Sequence, residues 1–572
     1  MIRRASQLNH LTHILLLLVC VFLFCPTAYA DDSSLEGSFF TVPENTRESV
    51  FAGHNVMVIV PHQDDCINLC SGVFEDYLDT GSTVRVVYLT NGDFGGKSWA
   101  NRRIHESITA MDVIGIPPEN LIYLGYGDQW YRNVHIYNSK PNKVLTSKAK
   151  QNKTYGTREH EAYAPGTPYT RNNLKKNLRS VIEEFLPDTL FCIDLDGHKD
   201  HRATSLFFEE VMGEILKDRS DYTPTVFKGF GYDTAWYAVK DFYAENPLST
   251  AKPGDSDLIS VDPVFRWSKR IRFPVATESI GRFQKNTTTY RMLEKHESQN
   301  GAAKGPAIIN GDKVYWLRDT SSLLYRAKIS ATSGNTSLLN DFKLMECPNV
   351  SARETVISGN VWIPAANDNT RSVTVTLSEP SEISLICLYD NPDLSSNILD
   401  ALITLSNGVD LHSGPLTVNG SATVISFDPA QITGFSVTIL ESEGSQAGLT
   451  EIEAYEAPQN HGIRWIKLVD SSDNFVYDYW MPESGRMTFT VYSFPESLSS
   501  DGFSVEWIGD DICSASVEGN KISVICPEGR SIELTVRSIE NPDLYDSVRI
   551  SNPSIARRLL LKTLQSMEQE SA

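Results

Sequence analysis

The first half of the chain alternates short, wholly apolar β-rich runs with helical patterns, and this alternation constrains the fold more than any other feature. Val56 to Val60 is apolar throughout, and helix-like sequence follows from Cys66 to Thr80. Thr83 to Leu89 is a second run, ending in the polar, glycine-rich turn Thr90 to Gly96. The next helix carries Ile104, Ile108, Met111 and Ile114 on one face. The helix Leu174 to Phe185 then precedes a third run, Thr189 to Leu195. Strands alternating with helices imply an α/β fold, a mostly parallel sheet with helices on both faces. Such sheets bind ligands beyond the carboxyl ends of their strands. Chemistry is therefore expected just after Val60, Leu89 and Leu195.

The second half is different. From about Asp312 to Ser551, short alternating strands are separated by Asn, Gly, Asp, Ser and Pro, which indicates all-β modules. A short helix is expected over Ile555 to Met567. Between Gly127 and Pro168 runs a long polar, tyrosine-rich segment with Trp130, and a structureless loop of that length is usually a lid or binding loop. A length of 572 residues fits three to four domains. The content of 41% hydrophobic and 22% charged residues excludes disordered, collagen-like and multi-spanning membrane classes. The net charge of −21 argues against a nucleic-acid groove or a basic membrane-binding face.

Residues 1–30 read as a cleavable secretory signal: Arg3 and Arg4, the apolar run Ile14 to Phe24, and the small-x-small site Ala28-Tyr29-Ala30 before Asp31. The run falls short of the roughly 20 apolar residues that a membrane span needs. A secreted or periplasmic location follows. Cys66, Cys70, Cys192, Cys347, Cys387, Cys513 and Cys526 remain in the mature chain, an odd number that leaves at least one free thiol. Cys513 and Cys526 flank a hairpin-like stretch and could pair. No CxxC pair suggests a structural zinc.

Two polar strings stand at the expected strand ends. Pro61-His62-Gln63-Asp64-Asp65 follows the first strand, and Asp196-Gly197-His198-Lys199-Asp200-His201 follows the third. Together they offer imidazoles and carboxylates suited to zinc with an open position for water, and a carboxylate to take a proton. Either string alone is ambiguous, since Asp commonly caps helices and His and Asp are ordinary loop residues. Gly92 to Ser98 misses the P-loop spacing by one residue, and no GxSxG elbow is present.

These strings resemble the zinc-dependent deacetylases of the LmbE-like, or PIG-L, family, which act on N-acetylglucosaminyl groups. The family's (A/P)HPDDE appears as PHQDDC, and its HxDH motif as HKDHRAT. The turn Thr90 to Asp93, the pair Arg103 and Glu106, and the string His296-Glu297-Ser298-Gln299 match further family segments in the same order. The resemblance implies a Rossmann-like sheet, Zn2+ held by His62, Asp65 and His201, and Asp64 as general base. It further implies that His198 stabilises the oxyanion with Asp200 holding its ring, and that Arg103, Asp93 and His296 contact substrate. Gln63 replaces a proline whose side chain need not face the metal. Cys66 replaces a glutamate, which weakens the site if that glutamate supports the ligands.

Residues 346–457 resemble a discoidin-like, galactose-binding β-sandwich, chiefly through the ending Ala447 to Tyr455. Residues 458–551 resemble an immunoglobulin-like sandwich. The expected organisation is therefore a signal at 1–30, a deacetylase domain at 38–330, these two sandwiches, and a tail at 552–572. The expected function is an exported hydrolase removing N-acetyl groups from N-acetylglucosamine-type sugars in a glycan or glycoconjugate. The alternatives are a glycan-binding protein on the same fold and a zinc amidase acting on another sugar conjugate.

Overall fold

In the computed structural model the described residues are 50–130, 134–232, 243, 245–251, 267, 270–351, 360–393, 395–418, 421–456, 465–494 and 502–571. The export signal expected at 1–30 lies outside them. The N-terminal unit is built from β1 (Asn55–Val60), α1 (Asp65–Cys70), α2 (Val73–Asp79), β2 (Thr83–Thr90), α3 (Lys97–Asp112) and β3 (Leu121–Tyr126). There follow α4 (Arg171–Phe185), β4 (Thr189–Ile193), α5 (Lys199–Asp218), β5 (Thr225–Gly229), β6 (Ile271–Pro274), α6 (Thr288–Lys295), α7 (Gly305–Ile308) and β7 (Asp312–Arg318).

The sheet order is β3-β2-β1-β4-β5-β7-β6. The first five strands are parallel, whereas β7 runs antiparallel to both β5 and β6. Central β1 shows why its sequence is apolar throughout. Val56, Val58 and Val60 enter one buried cluster while Met57 and Ile59 enter the other, beneath α4 and α5. The sequence suggests one helix over Cys66 to Thr80, but the chain breaks it at Gly72. That residue has φ +85°, and a Cβ there would come within 2.6 Å of Val275.

The strands of the rest of the chain pair antiparallel, apart from one short parallel pairing of Tyr479–Trp480 with Ile550–Ser551. One sheet, β11-β10-β12-β9-β13, is formed by β9 (Ser372–Asp390), β10 (Ile398–Leu405), β11 (Asp410–His412), β12 (Ala422–Ser442) and β13 (Leu449–Tyr455). It is extended by β8 (Lys328–Ala331), which pairs with β9. Two four-stranded sheets make the last sandwich. The first contains β14 (Trp465–Val469), β16 (Arg486–Phe494), β18 (Ser514–Glu518) and β19 (Lys521–Ile525). The second contains β15 (Tyr479–Trp480), β17 (Phe503–Gly509), β20 (Ser531–Ser538) and β21 (Tyr545–Ser551). The closing helix α8 spans Ile555–Ser571. Cys513 and Cys526 face each other across the β18–β19 hairpin, with sulfurs 3.7 Å apart and both thiols free. No described helix is long and apolar enough to cross a membrane.

Both β-regions are built into the N-terminal unit. Trp465, Phe475 and Tyr477 join the same buried cluster as β1, and the Trp465 ring lies 5.0 Å from that of Phe273. Phe342, Leu344 and Val350 join the cluster under α4 and α5, and Glu451 on β13 accepts from the backbone N–H groups of Asp341 and Phe342.

Candidate metal centre and active site

Strands β1 and β4 are neighbours, so the segments leaving their carboxyl ends meet. After β1 the chain turns sharply into α1. Asp64 occupies the N-cap without making a capping hydrogen bond. Asp65 instead folds back, its Oδ2 accepting from the His62 backbone N–H at 3.0 Å and lying 2.9 Å from His62 Nδ1. After β4, His198 caps α5 through Nδ1, which accepts from the Asp200 N–H at 3.3 Å. One residue further on, His201 brings Nε2 to 3.2 Å from Asp65 Oδ2. The structure thus gathers His62, Asp65 and His201 around a single carboxylate oxygen. All three are buried.

This cluster suits a divalent cation. Ligand bonds of about 2.0–2.1 Å set tetrahedral edges of about 3.3 Å, close to the two separations above. His201 Nε2 and Asp65 Oδ1 are buried without a hydrogen-bond partner. Asp128 Oδ1 and Asp200 Oδ2 lie 3.3 and 3.5 Å from His62 Nε2, and Asp196 Oδ2 lies 2.7 Å from His201 Nδ1. Four buried carboxylates around two imidazoles require compensating positive charge. In the metal-free chain the imidazoles carry it. Burial works against protonating His201, yet Asp196 and Asp65 raise it to about 9. Burial likewise opposes protonation of His62, but Asp65 and Asp128 hold it well above the usual value. A divalent ion would take over that charge. Two further groupings include His62, namely His62, His198 and His201, and His62, Asp128 and Asp200; the donor atoms of each lie mutually within 4.8 Å, and the two aspartates of the second approach His62 at Nε2.

The remaining site residues sort differently from the sequence expectation. Asp64 gives Oδ1 to Arg103 at 2.8 Å and Oδ2 to Lys304 at 2.6 Å. Burial is outweighed by Lys304 and Arg103, which hold this carboxyl well below the ordinary range. Arg103 is thus tied to Asp64 through Nη2, while its Nε is buried without a hydrogen-bond partner. Its placement depends on the Thr90–Asp93 turn, where Gly92 has φ +59° and a Cβ would meet Arg103 Cδ at 2.8 Å. Asp93 is buried with both oxygens engaged, by the Asp128 N–H and by the Tyr155 hydroxyl, each at 2.8 Å. These two bonds tie the turn after β2 to the loop that follows β3. The Asp200 carboxylate does not hold the His198 ring. It stands 3.7 Å from His198 Nδ1 and pairs with His135 Nε2 at 2.8 Å. His296 is fully buried behind Asp64, with both ring nitrogens unpartnered and burial pushing it down to about 4. It does not stand at the rim.

Cys66 packs in the core and contacts the Tyr88 hydroxyl at 3.2 Å, and burial pushes its thiol up to about 12. It supplies no thiolate ligand. Gln63 turns away, donating from Nε2 to the Thr90 carbonyl at 2.7 Å. Asp128, His135, Asp196 and Lys304 have no role in the sequence reading. Asp196 alone had a visible signal, since it stands five residues before His201 in the same string.

Residues 57–212 match the family model for PIG-L, described as GlcNAc-PI de-N-acetylase. The PIG-L match spans both ligand strings and Arg103, and it ends within α5, so His296 and Lys304 lie beyond it. Residues 355–455 match a model described as a domain of unknown function, DUF7402. No curated protein matches the chain. Among solved structures, the zinc-inhibited form of the teicoplanin deacetylase Orf2 is 15% identical with TM-score 0.29, over 46% of this chain and 98% of that one. N,N'-diacetylchitobiose deacetylase from Pyrococcus horikoshii is 19% identical with TM-score 0.20, over 32% and 55%. The family 32 carbohydrate-binding module of Clostridium perfringens NanJ is 21% identical with TM-score 0.18, over 23% and 93%. Scores of this size leave the fold to rest on the strand order and registers given above.

Proposed function

We propose that this protein is an exported, zinc-dependent hydrolase that removes N-acetyl groups from N-acetylglucosamine-type sugars in a glycan or glycoconjugate. The observation that carries this reading is the buried meeting of His62 Nδ1 and His201 Nε2 at Asp65 Oδ2, inside the segment that matches the PIG-L model. A zinc ion held there would polarise the amide carbonyl and acidify a water. Asp196 fixes the His201 ring through Nδ1 and leaves Nε2 for the ion.

Burial and the neighbouring His201 push His198 down to about 4, so its ring is neutral near pH 7. Because Nδ1 accepts from the Asp200 N–H, the proton sits on Nε2. That N–H donates to the amide oxygen as negative charge develops on it. Asp64 is ionised and within the site, but Arg103 and Lys304 occupy both oxygens. An incoming sugar displaces Lys304, the more exposed of the two cations, and Oδ2 then takes a proton from the attacking water and returns it to the leaving nitrogen.

The test is acetate release from N-acetylglucosamine oligomers by the zinc-loaded mature protein, with Asp64→Asn as the matched control. Wild type is expected to release acetate, and the variant to do so about 10²–10⁴-fold more slowly. No release by wild type with zinc bound would move the reading to another amide or to a binding role.

A further inference from the structure

A cavity with about 370 Å³ of unfilled space, including its open mouth, lies at the end of α1. Asn68, Lys313, Asn310, Thr250, Ile308 and Gly231 contribute to its lining. It adjoins the metal centre closely. Asn68 follows Asp65 by one helical turn, and a Cβ on Gly231 would approach His201 Cε1 to 3.2 Å.

Two of its side chains lack the partners that burial demands. Lys313, 6% exposed, donates from Nζ to the Asn68 carbonyl at 3.2 Å and the Ile308 carbonyl at 3.1 Å. An ammonium has three donors, so one remains, and no carboxylate among the described residues pairs with it. Asn68, 7% exposed, has neither its Nδ2 nor its Oδ1 bonded. Unpaired buried polar groups cost free energy, and an unpaired buried cation costs more. Elsewhere in this lining, Asn310 Nδ2 makes a 3.4 Å contact to Thr250 Oγ1.

We propose that this cavity is an anion subsite that binds a small carboxylate, one oxygen taking the free Lys313 N–H and the other the Asn68 amide. Burial pushes Lys313 down to about 8, which leaves it mostly protonated at pH 7, as the subsite requires. The chemistry fits free acetate or the carboxylate of an acidic sugar neighbouring the reactive unit. Acetate as a source rests on the proposed reaction, which would release it; an acidic sugar does not.

The test is calorimetric titration of the zinc-loaded mature chain with sodium acetate and, separately, sodium glucuronate. It is repeated on Lys313→Met, Asn68→Ala and His201→Ala. Binding is read without turnover, so a failed deacetylase assay leaves this test intact. The expected result is binding of at least one acid by wild type, weakened about tenfold or more in Lys313→Met and Asn68→Ala, and kept in His201→Ala. Acetate binding points to the free acid, and binding of glucuronate alone to the sugar. Asn68→Ala trims a side chain without partners, so it serves if Lys313→Met does not fold. The proposal is overturned if wild type binds neither acid. It is equally overturned if Asn68→Ala binds as wild type does, or if binding is lost in His201→Ala, which would place the acid on the metal.

Discussion

Two adjacent aspartates at the start of α1 meet different partners. Asp65 lies among imidazoles and other carboxylates, with one oxygen shared by two ring nitrogens and the other unpartnered. Asp64 is saturated, each oxygen held by its own cation. Burial opposes ionisation of both, yet His201 and His62 hold the Asp65 carboxyl below the ordinary range, and Lys304 and Arg103 do the same for Asp64. On the proposed function, this separates metal holding at Asp65 from proton handling at Asp64, because α1 begins between the two residues and their side chains diverge. Burial is nearly the same for both, so the difference lies in the neighbours.

The largest expected effect comes from breaking the Asp65 side. His201→Ala removes a ligand nitrogen that has no other partner, and it should abolish both metal retention and acetate release, read by metal analysis and the release assay. Asp64→Asn should retain metal and lose turnover about 10²–10⁴-fold. Equal loss of both would make Asp64 a ligand. A third effect separates the two sides by pH. In the metal-free protein the folded-state value of His201 is about 9 against 6.5 unfolded, so its protonation stabilises the fold fully below about pH 6.5. That contribution, about 3 kcal/mol, is lost as pH rises through about 9. Melting temperature of the metal-free chain should therefore fall across this window, while metal affinity rises across it because the ligand must be deprotonated. A flat profile would show that His201 is not the charge carrier. The smallest effect is expected for Lys304→Met. Asp64 keeps Arg103, so metal binding should be unchanged, and kcat should shift more than KM if Lys304 acts only by restraining Asp64.

Much of this was legible in the sequence because it depends on local spacing. Apolar runs and helix periodicity placed the two polar strings at strand ends, and the family resemblance singled out His62, Asp65 and His201 within them. The topology then brought them together without any long-range information beyond the sheet order. What the sequence did not show depends on contacts distant along the chain. Lys304 reaches Asp64 from the start of α7, 240 residues away, and Asp128 and His135 arrive on the tyrosine-rich loop that looks like a lid. Much of that loop is packed, with Trp130, Ile136, Tyr137 and Leu145 in the core. Asp93 is another case: the sequence places it at a strand end, but does not show its bonds to Tyr155 and to the Asp128 backbone. The β-regions show the same limit. Their strand patterns were readable, but nothing local announces that Trp465 and Tyr477 complete the core beneath β1.

The most direct test compares the zinc content of purified Asp65→Asn and Asp64→Asn with that of wild type. The account predicts about one zinc per chain in wild type and Asp64→Asn and far less in Asp65→Asn. Zinc lost equally from both variants, or retained in both, would contradict the separation of the two aspartates on which the proposed chemistry stands.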